Sequence, residues 1–99
     1  ESAIAKIALS YIYKARFDID KALLATQQAT QLSPENALAW ARLAELRLAS
    51  GNRSGALKAA ENAQNLNPKQ PRTQTVLGFV FLAQINIGRA HQSFSQAIM

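Results

Sequence analysis

The chain repeats itself with a period of 34 residues, and this repeat constrains the fold more than any other feature of the sequence. Proline recurs as Pro34 and Pro68, and leucine recurs as Leu9, Leu43 and Leu77, with no insertion or deletion in the register. Alanine fills two further repeat positions, at Ala22, Ala56 and Ala90, and at Ala29, Ala63 and Ala97. Such a period predicts similar supersecondary units that stack and bury their apolar faces against one another.

Helix start and stop signals recur within the period, so each unit is predicted to contain two helices. The predicted helices are 3–15 and 18–32, 34–49 and 53–66, and 70–84 and 87–98. One repeat position ahead of the second helix holds a good N-cap side chain in every unit, namely Asp18, Asn52 and Asn86. Ser33 and Asn67 precede Pro34 and Pro68, which predicts a cap followed by proline at the first helical position. Gly51 is expected to end one helix, and Pro71 should shift the start of another to about Gln70.

The residues at fixed offsets in this period resemble the tetratricopeptide repeat. The middle unit carries Trp40, Leu43, Ala44, Ala56, Ala63 and Pro68 at those offsets, and the third carries Leu77, Gly78, Phe81, Ala90, Phe94 and Ala97. The first unit carries Leu9, Ser10, Tyr13, Ala22, Ala29 and Pro34. The sequence departs from the family at five residues: Arg47 replaces an aromatic residue, Thr26 and Ala60 replace Phe, and Lys6 and Gln74 replace Trp.

The resemblance implies an all-α fold of three tetratricopeptide-type helical hairpins stacked into a right-handed α-solenoid. Residues 1–99 would form one array, with repeats at about 3–36, 37–70 and 71–99, the last of them truncated. We expect it to be an excerpt from a larger chain that continues in both directions with more repeats. The last helix would then expose Ile87, Phe94 and Ile98, which predicts self-association through that end.

The family resemblance also implies a binding groove on the concave face, lined by the first helix of each hairpin. The matching positions are Ile4, Ile7, Tyr11 and Lys14 in the first unit, Leu38, Ala41, Arg42, Glu45 and Leu48 in the second, and Arg72, Thr75, Phe79 and Leu82 in the third. Tyr11 and Phe79 are the expected anchors, and Arg42 and Arg72 the polar handles. The expected partner is a protein or peptide with apolar anchors and one carboxylate.

Family members that clamp carboxylate tails of chaperones use Lys, Asn and Arg at set groove positions. Here those positions hold Ile7, Tyr11, Arg42, Arg72 and Val76. Only Arg72 matches the clamp residues in both repeat position and residue type, so a carboxylate clamp of this kind is not predicted. An architectural spacer within a longer array is the main alternative to groove binding, because the apolar groove residues could pack against adjoining parts of the protein.

The charge balance raises a second alternative, a basic surface that binds nucleic acid. Eleven basic and six acidic residues give a net charge of +5, and no acidic residue follows Glu61. The cations are scattered singly, which favours a solvated basic surface. Repeat proteins that bind one RNA base per unit also repeat a pair of polar side chains, and the groove positions do not. Nucleic-acid binding therefore stays open as a minor alternative.

Catalytic and metal chemistry finds no support in the sequence. Cysteine is absent, and His91 has no potential co-ligand at helical spacing. Asp18 and Asp20 lie in a connection, where Asp18 is expected to cap a helix. Phosphate-binding loops and hydrolase motifs are also absent. We expect neither enzymatic activity nor a cofactor nor a small-molecule substrate.

No apolar run reaches the length of a membrane span. The segments ALAWARLAEL and RTQTVLGF resemble repeats of large bacterial multidomain proteins, some of which carry an envelope domain. This second resemblance implies a bacterial source and leaves two compartments open, the cytoplasm and the bacterial envelope.

Overall fold

The computed structural model describes residues 2–83, and the regular structure in this range is helical. Helix α1 covers Ala3–Ala15, α2 covers Ile19–Leu32, α3 covers Ala37–Ala49 and α4 covers Arg53–Leu66. A fifth helix, α5, covers 71–83. The predicted all-α fold of helical hairpins is confirmed. The expected helix at 87–98, its cap Asn86, and the apolar side chains expected to drive self-association lie outside the described residues.

The second helix of each described hairpin begins as predicted. The carboxylate of Asp18 accepts a hydrogen bond from the backbone N–H of Lys21 at 3.2 Å. In the next hairpin, the side-chain oxygen of Asn52 accepts from the N–H of Gly55 at 2.9 Å. Each oxygen satisfies one of the N–H groups that a helix N-terminus leaves without an intrahelical acceptor. The predicted caps of α2 and α4 are therefore confirmed.

The start of α3 differs from the prediction. Pro34 lies in a turn that is closed by a hydrogen bond from the N–H of Asn36 to the carbonyl of Ser33, at 3.0 Å. The helix begins only at Ala37, where the Asn36 side chain accepts from the N–H groups of the first turn. The prediction of Ser33 as cap and Pro34 as first helical residue was wrong. Proline also suits the second position of a β-turn, since its φ is preset there, and this turn places Asn36 as the cap.

The start of α5 repeats this arrangement one period later. The N–H of Gln70 donates to the carbonyl of Asn67 at 3.3 Å, and the helix begins at residue 71. The predicted cap at Asn67 was therefore wrong for the same reason, whereas the expected start near Gln70 is confirmed. Pro71 then occupies the first helical position. A backbone N–H at this position would have no intrahelical acceptor, so its absence in proline costs no hydrogen bond.

The connection within each described hairpin is a Schellman turn. In the first, the N–H of Phe17 donates to the carbonyl of Lys14 and the N–H of Asp18 donates to that of Tyr13. Gly51 and Asn52 make the same pair of bonds one period later. Phe17 and Gly51 both have a positive φ, of 61° and 89°. The expected stop at Gly51 is confirmed, because the left-handed conformation of this turn suits glycine.

Alanine forms much of the contact between helices. Six alanines of the second helices are fully buried: Ala22 and Ala29 in α2, and Ala56, Ala59, Ala60 and Ala63 in α4. Helix α3 packs against α1, α2 and α4, and so joins the two complete hairpins. One core cluster combines Leu43 of α3 with the alanines of α4 and with Val76, Leu77 and Val80 of α5. The hairpins therefore stack through shared cores, while the right-handed sense of the superhelix stays a prediction.

Candidate functional site

Three repeat positions on the first helices are open in every hairpin. They are Ile4, Leu38 and Arg72; Tyr11, Glu45 and Phe79; and Lys14, Leu48 and Leu82, all of them exposed or partly exposed. Within each helix, the spacing of i, i+7 and i+10 places these side chains on one face. We call the surface formed by these nine residues the groove.

Side chains from the first and last helices of the groove meet. The guanidinium of Arg72, on α5, lies 5.6 Å from the ring centre of Tyr11, on α1. These residues belong to hairpins that are two periods apart, and α3 lies between them. Side chains of the first and third of these helices therefore contact each other across α3.

A cluster of four charged and aromatic side chains holds the middle of the groove together, and we call it the arginine cluster: Tyr11, Arg42, Glu45 and Arg72. Glu45 accepts from Arg72 Nη1 at 2.7 Å and from Arg42 Nη1 at 3.3 Å. The Arg42 guanidinium stacks on the Tyr11 ring, at 3.7 Å from its centre. Because each member contacts a member on another helix, the cluster fixes the positions of α1, α3 and α5 relative to one another.

Arg42 lies inside the protein, so the prediction that it is an exposed polar contact residue of the groove was wrong. It is buried, and its Nε donates to the Ser10 hydroxyl at 3.0 Å, while that hydroxyl donates to the carbonyl of Ile7. Its Nη2 atom has no hydrogen-bond partner among the described residues. Arg42 takes this place because Ser10 is small and leaves room for a long side chain between α1 and α3. Its charge acts by orienting Tyr11 and Glu45, whereas Arg72 is the cation that faces solvent.

Arg72 keeps its charge in this setting. Its side chain is 40% exposed, and the hydrogen bond to Glu45 raises the pKa of the guanidinium above its ordinary value, against a smaller lowering by burial. Two arginines and one carboxylate leave the arginine cluster with a net charge of +1. An anionic group would therefore be attracted to the exposed side of Arg72.

A concavity of about 500 Å³ lies beside Arg72. Its lining residues are Glu45, Pro71, Arg72, Thr75, Val76 and Phe79. Phe79 is 57% exposed, and Tyr11 is 41% exposed at the other side of Arg72. Two aromatic side chains thus lie near a cation within the groove, which is an arrangement suited to an apolar chain segment that carries an acidic group.

Two other residues expected in the groove are buried. Ile7 packs with Ala29 and Ala39 in a core cluster between the first two hairpins, and Ala41 is fully buried. Thr75 is exposed and lines the concavity. Pro71 and Val76 also line it but were not among the expected groove residues. Pro71 lines it because α5 begins at this residue.

Two further findings concern sites other than the groove. Within residues 2–83, the Asp and Glu side chains form no group of three that could hold a metal ion, and His91 lies outside this range. None of the helices described is both long and apolar enough to cross a membrane. A larger concavity of about 970 Å³ lies at the turn between α3 and α4. Basic side chains line it, but Arg47 there donates to the carbonyl of Gly55, and Glu61 adds a negative charge.

The comparisons with known proteins agree with this architecture. The family described as tetratricopeptide repeat matches residues 14–79, which is most of the described chain. The chain therefore belongs to the tetratricopeptide-repeat family. Repeats of this family generally mediate protein–protein interactions, and the fold is typically a non-enzymatic scaffold. A comparison with curated proteins found no match.

Proposed function

We propose that this chain binds a segment of another protein in the groove, with Tyr11 and Phe79 as apolar anchors and Arg72 as the contact for a carboxylate. The observation that carries the proposal is the arginine cluster, which joins three hairpins, together with two half-exposed aromatic rings: Tyr11 within the cluster, and Phe79, which lines the concavity beside Arg72. Aromatic and arginine side chains dominate the binding energy of many protein interfaces.

The arginine cluster supports binding because it orders the groove before a ligand arrives. Tyr11 is held by the stacked Arg42 guanidinium, and Arg72 is held by Glu45. Ordering a flexible side chain on binding costs about 0.5–1.5 kcal/mol. Side chains that are already fixed avoid most of this cost, so a larger part of the contact energy appears as affinity.

The proposed ligand is an extended or helical peptide with at least two apolar side chains and one carboxylate. The apolar side chains would cover Tyr11 and Phe79, and one of them would enter the concavity beside Phe79. The carboxylate would pair with the exposed N–H groups of Arg72, since Glu45 uses only Nη1. Exclusion of water by the surrounding apolar groove residues strengthens that ion pair.

A peptide-display selection tests this proposal. The immobilised chain would be the target, and the folded double variant Tyr11→Glu/Phe79→Glu would serve for counter-selection. We expect enriched peptides that combine apolar or aromatic residues with an acidic residue. By fluorescence anisotropy, their affinity should fall about tenfold or more in the double variant, since hot-spot residues each contribute more than about 1 kcal/mol.

The matched control is Leu24→Glu/Leu66→Glu. It places the same two charges at exposed leucines on the second helices, away from the groove. Unchanged affinity in this control supports the groove as the binding site. Failure to enrich any peptide, or an equal loss of affinity in both double variants, would contradict the proposal and favour the spacer.

A further inference from the structure

The turn between α3 and α4 brings together three cations that are separated in the sequence. Arg47, Arg53 and Lys58 all line the concavity of about 970 Å³ at this turn. Glu61 is the carboxylate among the lining residues, which leaves the lining with a net charge of +2. We call this concavity the turn pocket, and its remaining lining residues are Gly51, Asn52, Ser54, Gly55 and Leu57.

The three cations are available to a ligand. The side chains of Arg53 and Lys58 form neither a hydrogen bond nor an ion pair with any other described residue. Arg47 donates from Nη1 to the carbonyl of Gly55 at 3.1 Å, which holds its guanidinium at the wall of the pocket and leaves its other N–H groups without an acceptor in this part of the chain. Glu61 offsets one of the three charges, and the other two attract an anion from solution.

The first hairpin shows that the fold does not need these cations. It makes the same turn and caps its second helix with a side chain, although its residues at the three cation positions are Tyr13, Ile19 and Leu24. Two carboxylates, Asp18 and Asp20, also lie at this turn, and Lys21 adds one positive charge. The equivalent surface of the first hairpin therefore has a net charge of −1, against +2 for the turn pocket. Because folding of a hairpin does not require this difference, the difference points to an anionic ligand at the second hairpin.

Two glycines keep the turn pocket open. Gly51 and Gly55 occupy the positions at which the first hairpin has Phe17 and Lys21. A Cβ atom at Gly51 would meet no other side chain within 4 Å, so the space beside it is open. Leu57 supplies the apolar side chain of the lining, and the other lining side chains are polar or charged. Such a surface suits a compact hydrophilic anion and does not suit an apolar chain.

We propose that the turn pocket binds a phosphate monoester group, carried by a phosphorylated protein side chain or by a small phosphorylated molecule. Such a group has a charge between about −1.5 and −2 at pH 7, which matches the net charge of the pocket more closely than a single carboxylate does. Guanidinium groups such as those of Arg47 and Arg53 donate paired hydrogen bonds to phosphate oxygens, and the Lys58 ammonium adds a compact positive charge. The amide of Asn52 and the hydroxyl of Ser54 offer neutral donors at positions where the first hairpin has carboxylates.

The turn pocket shares no lining residue with the groove. The groove residues lie on α1, α3 and α5, whereas most of the pocket residues lie on α4 and in the turn before it. The proposal therefore goes beyond peptide binding and does not depend on it. The groove variant Tyr11→Glu/Phe79→Glu should keep its affinity for phosphate, so the two proposals fail separately.

Amide signals of the turn provide the test. The ¹⁵N-labelled chain would be titrated at low ionic strength with inorganic phosphate, with a short alanine peptide that carries a central phosphoserine, and with the same peptide without the phosphate. We expect the amide signals of Gly51, Ser54 and Gly55 to shift in a saturable manner with both phosphate probes and to stay unchanged with the unphosphorylated peptide. The amides of Phe17 and Asp18, in the turn without the three cations, should stay unchanged throughout and serve as an internal control.

The two phosphate probes distinguish the sources of the group. Tighter binding of the phosphopeptide assigns the pocket to a phosphorylated protein segment, whereas tighter binding of inorganic phosphate assigns it to a small phosphorylated molecule. The absence of a saturable shift with either probe, or equal shifts at Phe17 and Gly51, would overturn the proposal.

Two double variants with the same change in net charge make the test specific. Arg53→Gln/Lys58→Gln should weaken phosphate binding about fivefold or more, since two ion pairs are lost. Arg16→Gln/Lys69→Gln removes one arginine and one lysine outside the pocket and should leave the affinity unchanged. Circular dichroism checks the fold of each variant. Lys58→Gln alone, at an exposed position, should weaken binding about twofold even if the change at Arg53 alters the fold. Equal losses in the pocket variants and in the control would contradict a site at this turn.

Discussion

Phe17 and Gly51 occupy the same repeat position, and both adopt the left-handed backbone conformation. Glycine reaches positive φ without steric cost, whereas a side chain at Cβ meets the following carbonyl. The Phe17 side chain is 92% exposed, so it gains almost no burial in return. The first hairpin therefore contains a strained residue at a turn that the second hairpin makes without strain.

Phe17→Gly is expected to raise the free energy of unfolding by about 1 kcal/mol, because it removes the left-handed strain and loses little buried surface. The reciprocal change Gly51→Phe should lower it by about 1–2 kcal/mol. Urea unfolding followed by the fluorescence of Trp40 measures both. A lower stability of the Phe17→Gly variant would show that the ring makes a contact that its exposure does not suggest.

Glu45 is the shared acceptor of the arginine cluster, so Glu45→Gln should leave the buried Arg42 without its countercharge. We expect a loss of about 1–3 kcal/mol in the free energy of unfolding. The exposed Glu61→Gln is the control and should change it by less than about 0.5 kcal/mol. Equal effects of the two substitutions in urea unfolding would mean that the arginine cluster does not stabilise the stack.

At the scale of helices, the sequence predicted the elements well and their first residues less well. The caps Asp18 and Asn52 follow directly from residue type and position. Pro34 was misplaced, because proline suits both a first helical position and a turn, and only the hydrogen bond between Asn36 and Ser33 distinguishes them. The local preferences of proline favour a helix start and a β-turn about equally, and tertiary packing decides between the two.

At one position where the sequence departs from the family, a different side chain makes the same hydrogen bond. Trp40 donates from Nε1 to the carbonyl of Pro34 at 2.8 Å, and Gln74, one period later, donates from Nε2 to the carbonyl of Pro68 at the same distance. The repeat register could have suggested this equivalence. The burial of Arg42 could not be predicted, because it depends on the space that Ser10 leaves on another helix.

The repeat offers a matched comparison of one residue type in two environments. Leu43→Ala should lower the free energy of unfolding by about 2–5 kcal/mol, since Leu43 lies in the shared core of α3, α4 and α5. Leu9→Ala, at the equivalent and exposed position, should cost less than about 1 kcal/mol. Thermal or urea unfolding of both variants checks this, and equal losses would mean that Leu9 is covered in solution.

At the scale of the whole molecule, the equivalent positions of the repeat divide into two kinds. Some are buried wherever a neighbouring hairpin covers them, as Leu43 and Leu77 are. Others stay open in all three hairpins, and these form the groove. A packing role explains the first kind, but it does not require half-exposed aromatic rings at Tyr11 and Phe79. This difference is the reason to prefer groove binding over a spacer.

The net charge of +5 permits a test against the nucleic-acid alternative. A ligand with one carboxylate at Arg72 should lose only a few-fold in affinity when the salt concentration rises from about 50 to 200 mM, as one ion pair is screened. Binding through six or more phosphates would lose about 10³-fold or more over the same range. Anisotropy titrations of a selected peptide and of a single-stranded oligonucleotide distinguish these outcomes, and tight, steeply salt-dependent oligonucleotide binding would contradict the groove account.

The most direct measurement is a quantitative pull-down from extract of the source cells with three folded baits: the wild-type chain, Tyr11→Glu/Phe79→Glu and Leu24→Glu/Leu66→Glu. The account predicts a protein that the wild type and the second-helix variant capture equally and that the groove variant loses. Equal capture by all three baits, or capture by none, would contradict it and leave the chain as a spacer between other parts of its protein.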